Sequence, residues 1–239
     1  MSRIFSLLSL LPAWLPLLAI AQTGGFGINA TRLIYPQGAE SISVTVRNTM
    51  TAQPYLVQAK ISGSQDGSQS APFLTRPPLF RLEPNSVNQI RIVEQKSILP
   101  RDRESVFYFH ASAIPASSAP LSPNQQSGVH GNAQFGVGNI IKMFYRPANL
   151  PSSSMAAQQS LQFSKVKEGL QLKNDSPYFV SFASLRVGKQ AIKLDTPAAL
   201  MIAPFSSHIY PTTIAQGSVI HWETINDEGG INAFSYNLP

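Results

Sequence analysis

The chain has 239 residues, a net charge of +6 from 18 Lys and Arg against 12 Asp and Glu, and no cysteine, which excludes a disulfide framework, thiolate metal sites and cysteine catalysis. Charged residues make up only 13 % of the chain, beside 19 Pro and 15 Gly, a balance that favours short strands and frequent turns over long helices. The basic excess contains no Lys/Arg run, so charge patterning gives no support to a nucleic-acid partner.

The first 21 residues read as a signal peptide. Arg3 supplies a positive start, Ile4 to Ile20 is largely apolar, and Ala19-Ile20-Ala21 places small residues where a signal peptidase cuts. Pro12 and Pro16 interrupt the stretch, whose length is marginal for a retained membrane span. The mature protein is therefore expected to be exported and soluble.

Period-two alternation dominates the remainder of the chain. Ser41 to Arg47 puts Ile42, Val44 and Val46 on one face and polar groups on the other, as a half-buried strand requires. Tyr55 to Ile61, Asn88 to Val93 and Val106 to His110 read as further strands, separated by turn-rich pieces such as Gly63 to Ser70 and Glu83-Pro84-Asn85. A polar loop from Pro115 to about Gly131 leads into a long strand, Asn132 to Tyr145. Arg146 to Ser154 carries Pro147 and Pro151 and reads as an interdomain linker. The second half continues with strands at Leu161 to Phe163, Leu170 to Lys173, Tyr178 to Val187, His208 to Tyr210 and Val219 to Ile225. A helical turn fits Met155 to Ser160, and little other helix is expected. The pattern makes two all-β sandwich domains, at 22–149 and 155–239, each near the usual size of about 100 residues. No sequence repeat relates them.

Catalytic constellations are scarce. His110, His130, His208 and His221 lack metal-ligand spacing, and neither H-E-x-x-H nor G-x-S-x-G occurs. Gly25 to Ala30 loosely imitates a dinucleotide fingerprint but lacks the preceding strand and βαβ context. Asp227-Glu228 beside Gly229-Gly230 reads as a turn. No enzyme, metal or cofactor is expected. The Asn132 to Tyr145 strand is more informative. Ala133, Phe135, Val137, Asn139 and Ile141 share one face, while Gln134, Gly136, Gly138 and Ile140 take the other, followed by Lys142. It reads either as an ordinary core strand or as an edge lending its apolar face to another chain, with glycines that let a partner backbone approach closely.

Asn139 to Pro147 (N-I-I-K-M-F-Y-R-P) resembles the I-K-L-F-Y-R-P signature of PapD-like periplasmic pilus chaperones. Thr31 to Pro36 is similar to their first-strand T-R-x-I-Y motif. Pro77 to Leu82, Leu99 to Ser105, Met201 to Phe205 and Ile225 to Gly230 fit the same template in the same order, so the resemblance spans nearly the whole mature chain. It implies two immunoglobulin-like domains with a cleft between them. It further implies that Arg32 and Lys142 anchor the C-terminal carboxylate of a pilus subunit there, and that Ala133, Phe135, Val137 and Ile141 are donated to the subunit's open groove. Glu104, Arg146 and Asp227 match an interdomain ion network. The implied partners are exported pilus subunits and an outer-membrane assembly platform (the usher), in the periplasm; an apolar donor edge also lets the free protein pair with itself.

The Pro115 to Gly131 loop is longer than in the family's short-loop branch, while the cysteine pair frequent in the long-loop branch is missing, so the branch stays open. The alternative reading is a structural or adhesive component of a surface fibre. Such a subunit would carry its own donor extension, for which the Gly-rich stretch Gln22 to Asn29 is short.

Overall fold

The computed structural model describes residues 24–95, 98–116 and 135–239. The expected signal peptide, most of the polar loop, His130 and Ala133 lie outside the described residues.

The first half supplies β1 (Phe26–Ile28), β2 (Arg32–Pro36), β3 (Ile42–Asn48), β4 (Tyr55–Ser62), β5 (Phe73–Arg76), β6 (Leu79–Leu82), β7 (Ser86–Glu94), β8 (Ser105–Pro115) and β9 (Val137–Arg146). One sheet runs β1-β3-β7-β5 and the facing sheet β2-β9-β8-β4-β6. All pairings are antiparallel except β2 with β9. Alternation places the core: Val44 and Val46 of β3, Ile90 and Ile92 of β7, and Phe107, Phe109, Ala111 and Ala113 of β8 are buried together, each larger side chain contributing about 1.5–3 kcal/mol.

The second half contains α1 (Ser154–Gln159), β10 (Gln162–Val166), β11 (Gly169–Asn174), β12 (Val180–Val187), β13 (Gln190–Ala191), α2 (Pro197–Leu200), β14 (Met201–Ile202), β15 (Ser206–Tyr210), β16 (Val219–Ile225) and β17 (Ile231–Asn237). A β10-β11-β15 sheet faces a β13-β12-β16-β17 sheet, and β14 pairs with β12. Their core, with Leu170, Leu172, Val180, Leu185, Ile220 and Trp222, is separate from the first. The helical turn is real: Ser153 caps α1 by accepting the Ala156 N–H, which satisfies an otherwise orphaned donor.

Although the halves share no sequence repeat, they share a device. Asn48, at the end of β3, donates to the carbonyls of Gln53, Leu82 and Glu83 and accepts from Met50 N. Asn174, at the end of β11, donates to Tyr178 O and Ala203 O and accepts from Ser176 N. Each is 1 % exposed, so each satisfies loop carbonyls that burial would otherwise leave unpaired.

The long strand is shorter than its sequence suggests. β9 begins at Val137, not Asn132, and residues 135–136 are described but lie outside it. Its ladder with β8 ends at Ala113↔Val137. Two residues further β8 reaches Pro115, which has no N–H to donate.

Candidate functional site

Strand β9 has unequal neighbours. β8 pairs with it along its whole length, from Ser105↔Tyr145 to Ala113↔Val137. β2 pairs only with its last five residues, from Arg32↔Lys142 to Pro36↔Arg146. From Val137 to Ile141, the β9 edge on the β2 side therefore has no strand partner among the described residues. An edge of this kind is a template for strand addition.

The two halves of β9 also differ in burial. On its inward face Met143 and Tyr145 are buried in the first core, and Ile141 packs at the core margin. Val137, on the same face, is 45 % exposed, and Phe135 just before the strand is 84 % exposed. Phe135, Val137 and Ile141 thus pass from a bare aromatic ring to a half-seated aliphatic side chain, along an edge whose backbone is unoccupied.

The opposite face turns toward the second domain. Arg32 and Lys142 are register partners. Arg32 Nη1 donates to Ile225 O at 2.8 Å, its Cζ lies 5.6 Å from the Phe144 ring centroid, and its buried Nε has no hydrogen-bond partner. Burial lowers the Arg32 pKa, against the raising influence of Asp227 and Glu104. Burial also lowers that of Lys142, and the Arg32 charge lowers it further. Among the described residues Lys142 has no ion pair. Two partly desolvated cations side by side make a site that an anion stabilises.

Next to them the structure brings Glu104, Arg146 and Asp227 together across the domain boundary. Arg146 Nε donates to Glu104 Oε1 at 2.7 Å, and its two Nη atoms donate to Asp227 Oδ2 and Oδ1 at 2.7 and 2.9 Å. The second oxygen of Glu104 accepts Phe179 N at 2.9 Å, and Glu104 N donates to Pro177 O at 2.9 Å. Glu104 is buried, and desolvation raises its pKa despite Arg146. Burial likewise pushes Asp227 up, but hydrogen bonds and charge from Arg146, with a bond from Ser154, outweigh it and leave Asp227 below its usual value. The guanidinium of Arg146 also lies 5.2 Å from the Tyr178 ring centroid, and Phe144 meets Phe179 at 5.8 Å.

The turn between β16 and β17 docks on β2. Gly229 has φ +86°, and a Cβ there would sit 2.4 Å from Thr31 Oγ1, so both conformation and contact demand glycine.

Some of this was not legible in the residues. The aromatic contacts of Phe179 and Tyr178 carry no sequence motif. His110 is buried against Ser62, with Nε2 2.6 Å from its Oγ, and no pattern links positions 62 and 110. Among the described residues no group of three or more His, Asp or Glu is placed to hold a metal ion, and no helix is long and apolar enough to cross a membrane.

Known proteins are similar to this chain along most of its length. Residues 25–151 match the family described as "Pili and flagellar-assembly chaperone, PapD N-terminal domain", and residues 156–236 match "Pili assembly chaperone PapD, C-terminal domain". The chain is 33 % identical over 224 residues to the probable fimbrial chaperone protein ElfD of Escherichia coli K12, covering 93 % of this chain and 88 % of that one. Its fold is similar to that of the E. coli chaperone DraB, with a TM-score of 0.74, 29 % identity and coverage of 89 % and 98 %. It is also similar to a chain in the complex of Salmonella enterica SafA pilin with the SafB chaperone, with a TM-score of 0.74, 28 % identity and coverage of 90 % and 96 %.

Proposed function

The chain belongs to the PapD family of pilus-assembly chaperones, and we propose that it holds exported pilus subunits by lending them strand β9. The observation that carries this reading is the edge from Val137 to Ile141, open on one side and ending at the cation pair Arg32 and Lys142. A subunit that lacks one strand of its own sandwich gains backbone hydrogen bonds along this edge. Its groove takes Phe135 and Val137, with Ala133 before them and Ile141 behind. Covering that groove removes an aggregation hazard.

Magnitudes divide the labour. Burying Phe135 and Val137 contributes about 1.5–3 kcal/mol each, and the strand's hydrogen bonds add to that. A carboxylate on Arg32 and Lys142 gains charge-assisted bonds, offset by its own desolvation. The strand thus supplies most of the affinity, and the cations fix its register by stopping the subunit's last residue at one point. Glu104, Arg146 and Asp227 hold the angle between the domains. No nucleotide or cofactor enters this scheme, because a better-fitting strand can displace the donated one. Removal of residues 1–21 would place the protein in the periplasm, where it passes subunits to the outer-membrane usher. Matches to chaperones along most of the chain support this reading over that of a fibre component.

The test is co-expression with candidate exported subunits, followed by pull-down from periplasmic extract. The wild type is expected to retain a stoichiometric subunit, Phe135→Ala to retain less of any subunit, and Arg32→Ala and Lys142→Ala to yield misaligned, protease-sensitive complexes. Complexes indifferent to all three substitutions would sink the proposal.

A further inference from the structure

The contacts between the domains do not end at Arg146. Across the sheet order β2-β9-β8, the first domain meets the second at Thr31 and Arg32, then at Phe144 and Arg146, then at the residues just before β8. At that last point Arg103 extends beyond Glu104, and its guanidinium carbon lies 4.8 Å from the ring centroid of Phe205 in the second domain. Arg103 is aimed there by its neighbour: Nη2 donates to Asp102 Oδ2 at 2.7 Å and Nε to both Asp102 oxygens at 3.2 Å.

Phe205 is unusual in its own right. It sits in the tight turn Ala203-Pro204-Phe205-Ser206 between β14 and β15, with φ +52°. Three non-glycine residues among those described have left-handed backbones, and the other two, Asn85 and Asn149, are asparagines. Asparagine tolerates that region, whereas a bulky residue there is strained. A turn with proline at its second position and a left-handed third ordinarily carries Gly or Asn at the third. Nor does burial explain the phenylalanine, because it is 48 % exposed. The turn is pinned without the ring's help, through Phe205 N to Ser176 O, Ser206 Oγ to Ala203 O, and Asn174 Nδ2 to Ala203 O. A strained residue that persists without serving its own turn points to a task elsewhere, and the nearest task is the contact with Arg103.

We propose that Arg103 and Phe205 form a second interdomain strut that stops the two sandwiches from rocking about Arg146 and so keeps Arg32 and Lys142 at a fixed setting against the second domain. β2 and the start of β8 flank β9, one strand spacing of about 4.8 Å to either side. The ion network centred on Arg146 and braced at Glu104 lies near the middle of this contact, so the contacts beyond it, Thr31 and Arg32 on one flank and Arg103 on the other, resist rotation about it. Arg103 and Phe205 are positioning residues: they touch neither the open edge nor the anion site. Only the link to anion capture rests on the proposed subunit binding; the strut itself does not.

The test uses Phe205→Gly, which removes the ring and relieves the backbone, Arg103→Ala, and Phe205→Tyr as the conservative replacement. Rotational diffusion of each domain, from ¹⁵N relaxation of the full mature chain, reads the strut directly. The wild type is expected to tumble as one body. Phe205→Gly and Arg103→Ala should show separate domain tensors, and Phe205→Tyr should restore the single body. A role confined to the turn predicts the reverse: Phe205→Gly would raise the thermal midpoint and leave tumbling unchanged. Binding of a synthetic peptide copying the last strand of a cognate subunit, as free acid and as C-terminal amide, is the second readout. The preference for the acid should fall about threefold in both strut variants. If both variants tumble like the wild type, the strut is refuted whatever the peptide does. If the wild type shows no preference for the acid, the anchor reading fails, while tumbling still decides the strut.

Discussion

Arg146 meets two carboxylates, and their environments predict opposite consequences for removing them. Asp227 offers both oxygens to the guanidinium at 2.7 and 2.9 Å and remains partly open to water. Asp227→Asn loses one charge-assisted arm, and relief of its partial desolvation offsets only part of that loss, as the lowered pKa shows, a cost of about 1.5–3 kcal/mol. Glu104 is buried, so its bond to Arg146 at 2.7 Å is offset by the cost of holding a charge away from water. Glu104→Gln has one oxygen for the two N–H donors that Glu104 accepts, so its NH2 group faces either Phe179 N or Arg146 Nε; that loss of about 1–3 kcal/mol is offset in part by relief from burying a charge. The pH dependence has opposite signs. The folded pKa of Asp227 is lowered, so its stabilisation is present above its unfolded value of about 3.9 and is lost as pH falls through the folded value. That of Glu104 is raised, so its contribution is full below about pH 4.3 and is lost as pH rises through the folded value. Urea titrations at pH 3, 4 and 7 can follow Trp222, the one tryptophan outside the expected signal peptide and a buried reporter of the second domain. Circular dichroism follows both domains. Asp227→Asn should flatten the acid loss below pH 4, and Glu104→Gln the decline between pH 4 and 7. A Glu104→Gln protein that loses stability above pH 4 as the wild type does would refute the reasoning, because burial would then not dominate at Glu104.

Other single contacts set further outcomes. Gly229→Ala should loosen the β16–β17 turn from β2 and destabilise the domain pair by about 1–2 kcal/mol, since its Cβ meets Thr31 Oγ1 at a left-handed φ; Thr31→Gly in the same chain should recover part of that in a thermal melt. His110 has its pKa lowered by burial and then by Lys60, so its stabilisation is present above about pH 6.5 and is lost as pH falls through the folded value. His110→Gln should abolish a drop in urea midpoint between pH 6.5 and 5 that the wild type displays. Val137→Ala should weaken subunit retention by about tenfold or less and Phe135→Ala by more, in competition with the wild type for limiting subunit, because the ring offers the larger apolar area.

How much could be read from the residues depended on whether the information was local. β3, β4, β7, β8 and β16 announce themselves because one face is apolar and the other polar over five or more residues. β17 was missed because its inward positions mix Asn232 with Phe234 and Tyr236; Asn232 is there to bond Gln158 Oε1 at 2.9 Å, not to fill a core. β5 and β6, four residues each, flank Pro77-Pro78 and are too short to display a period. The candidate site was less legible still. Positions 104, 146 and 227 could be joined only through resemblance to a known family, since their grouping is made by the packing of one domain on the other, and so could Arg32 with Lys142, since a parallel pairing of strands far apart in the chain brings them together. Arg103 and Phe205 lie in stretches that resemble the family, Leu99 to Ser105 and Met201 to Phe205, but nothing in the residues joins them, and left-handed backbone at a phenylalanine leaves no trace in composition or periodicity.

The features of β9 are separate in sequence yet constrain one another in the fold. Its last residues are committed: Met143 and Tyr145 in the first core, Phe144 and Arg146 at the domain boundary. Its start is not, with Val137 half out and Phe135 just before it bare. A strand free along its whole length would have no defined register, because a one-residue slip exchanges its faces. Fixing one end removes that freedom without filling the other. The same fixed end carries Lys142 beside Arg32, so under the proposed function an added strand would meet its stop at a position tied to the core. On this reading the burial gradient along β9 is the working part of the molecule. Extending the core to Val137 would bury the donor face, whereas loosening Met143 or Tyr145 would leave the edge open but without register.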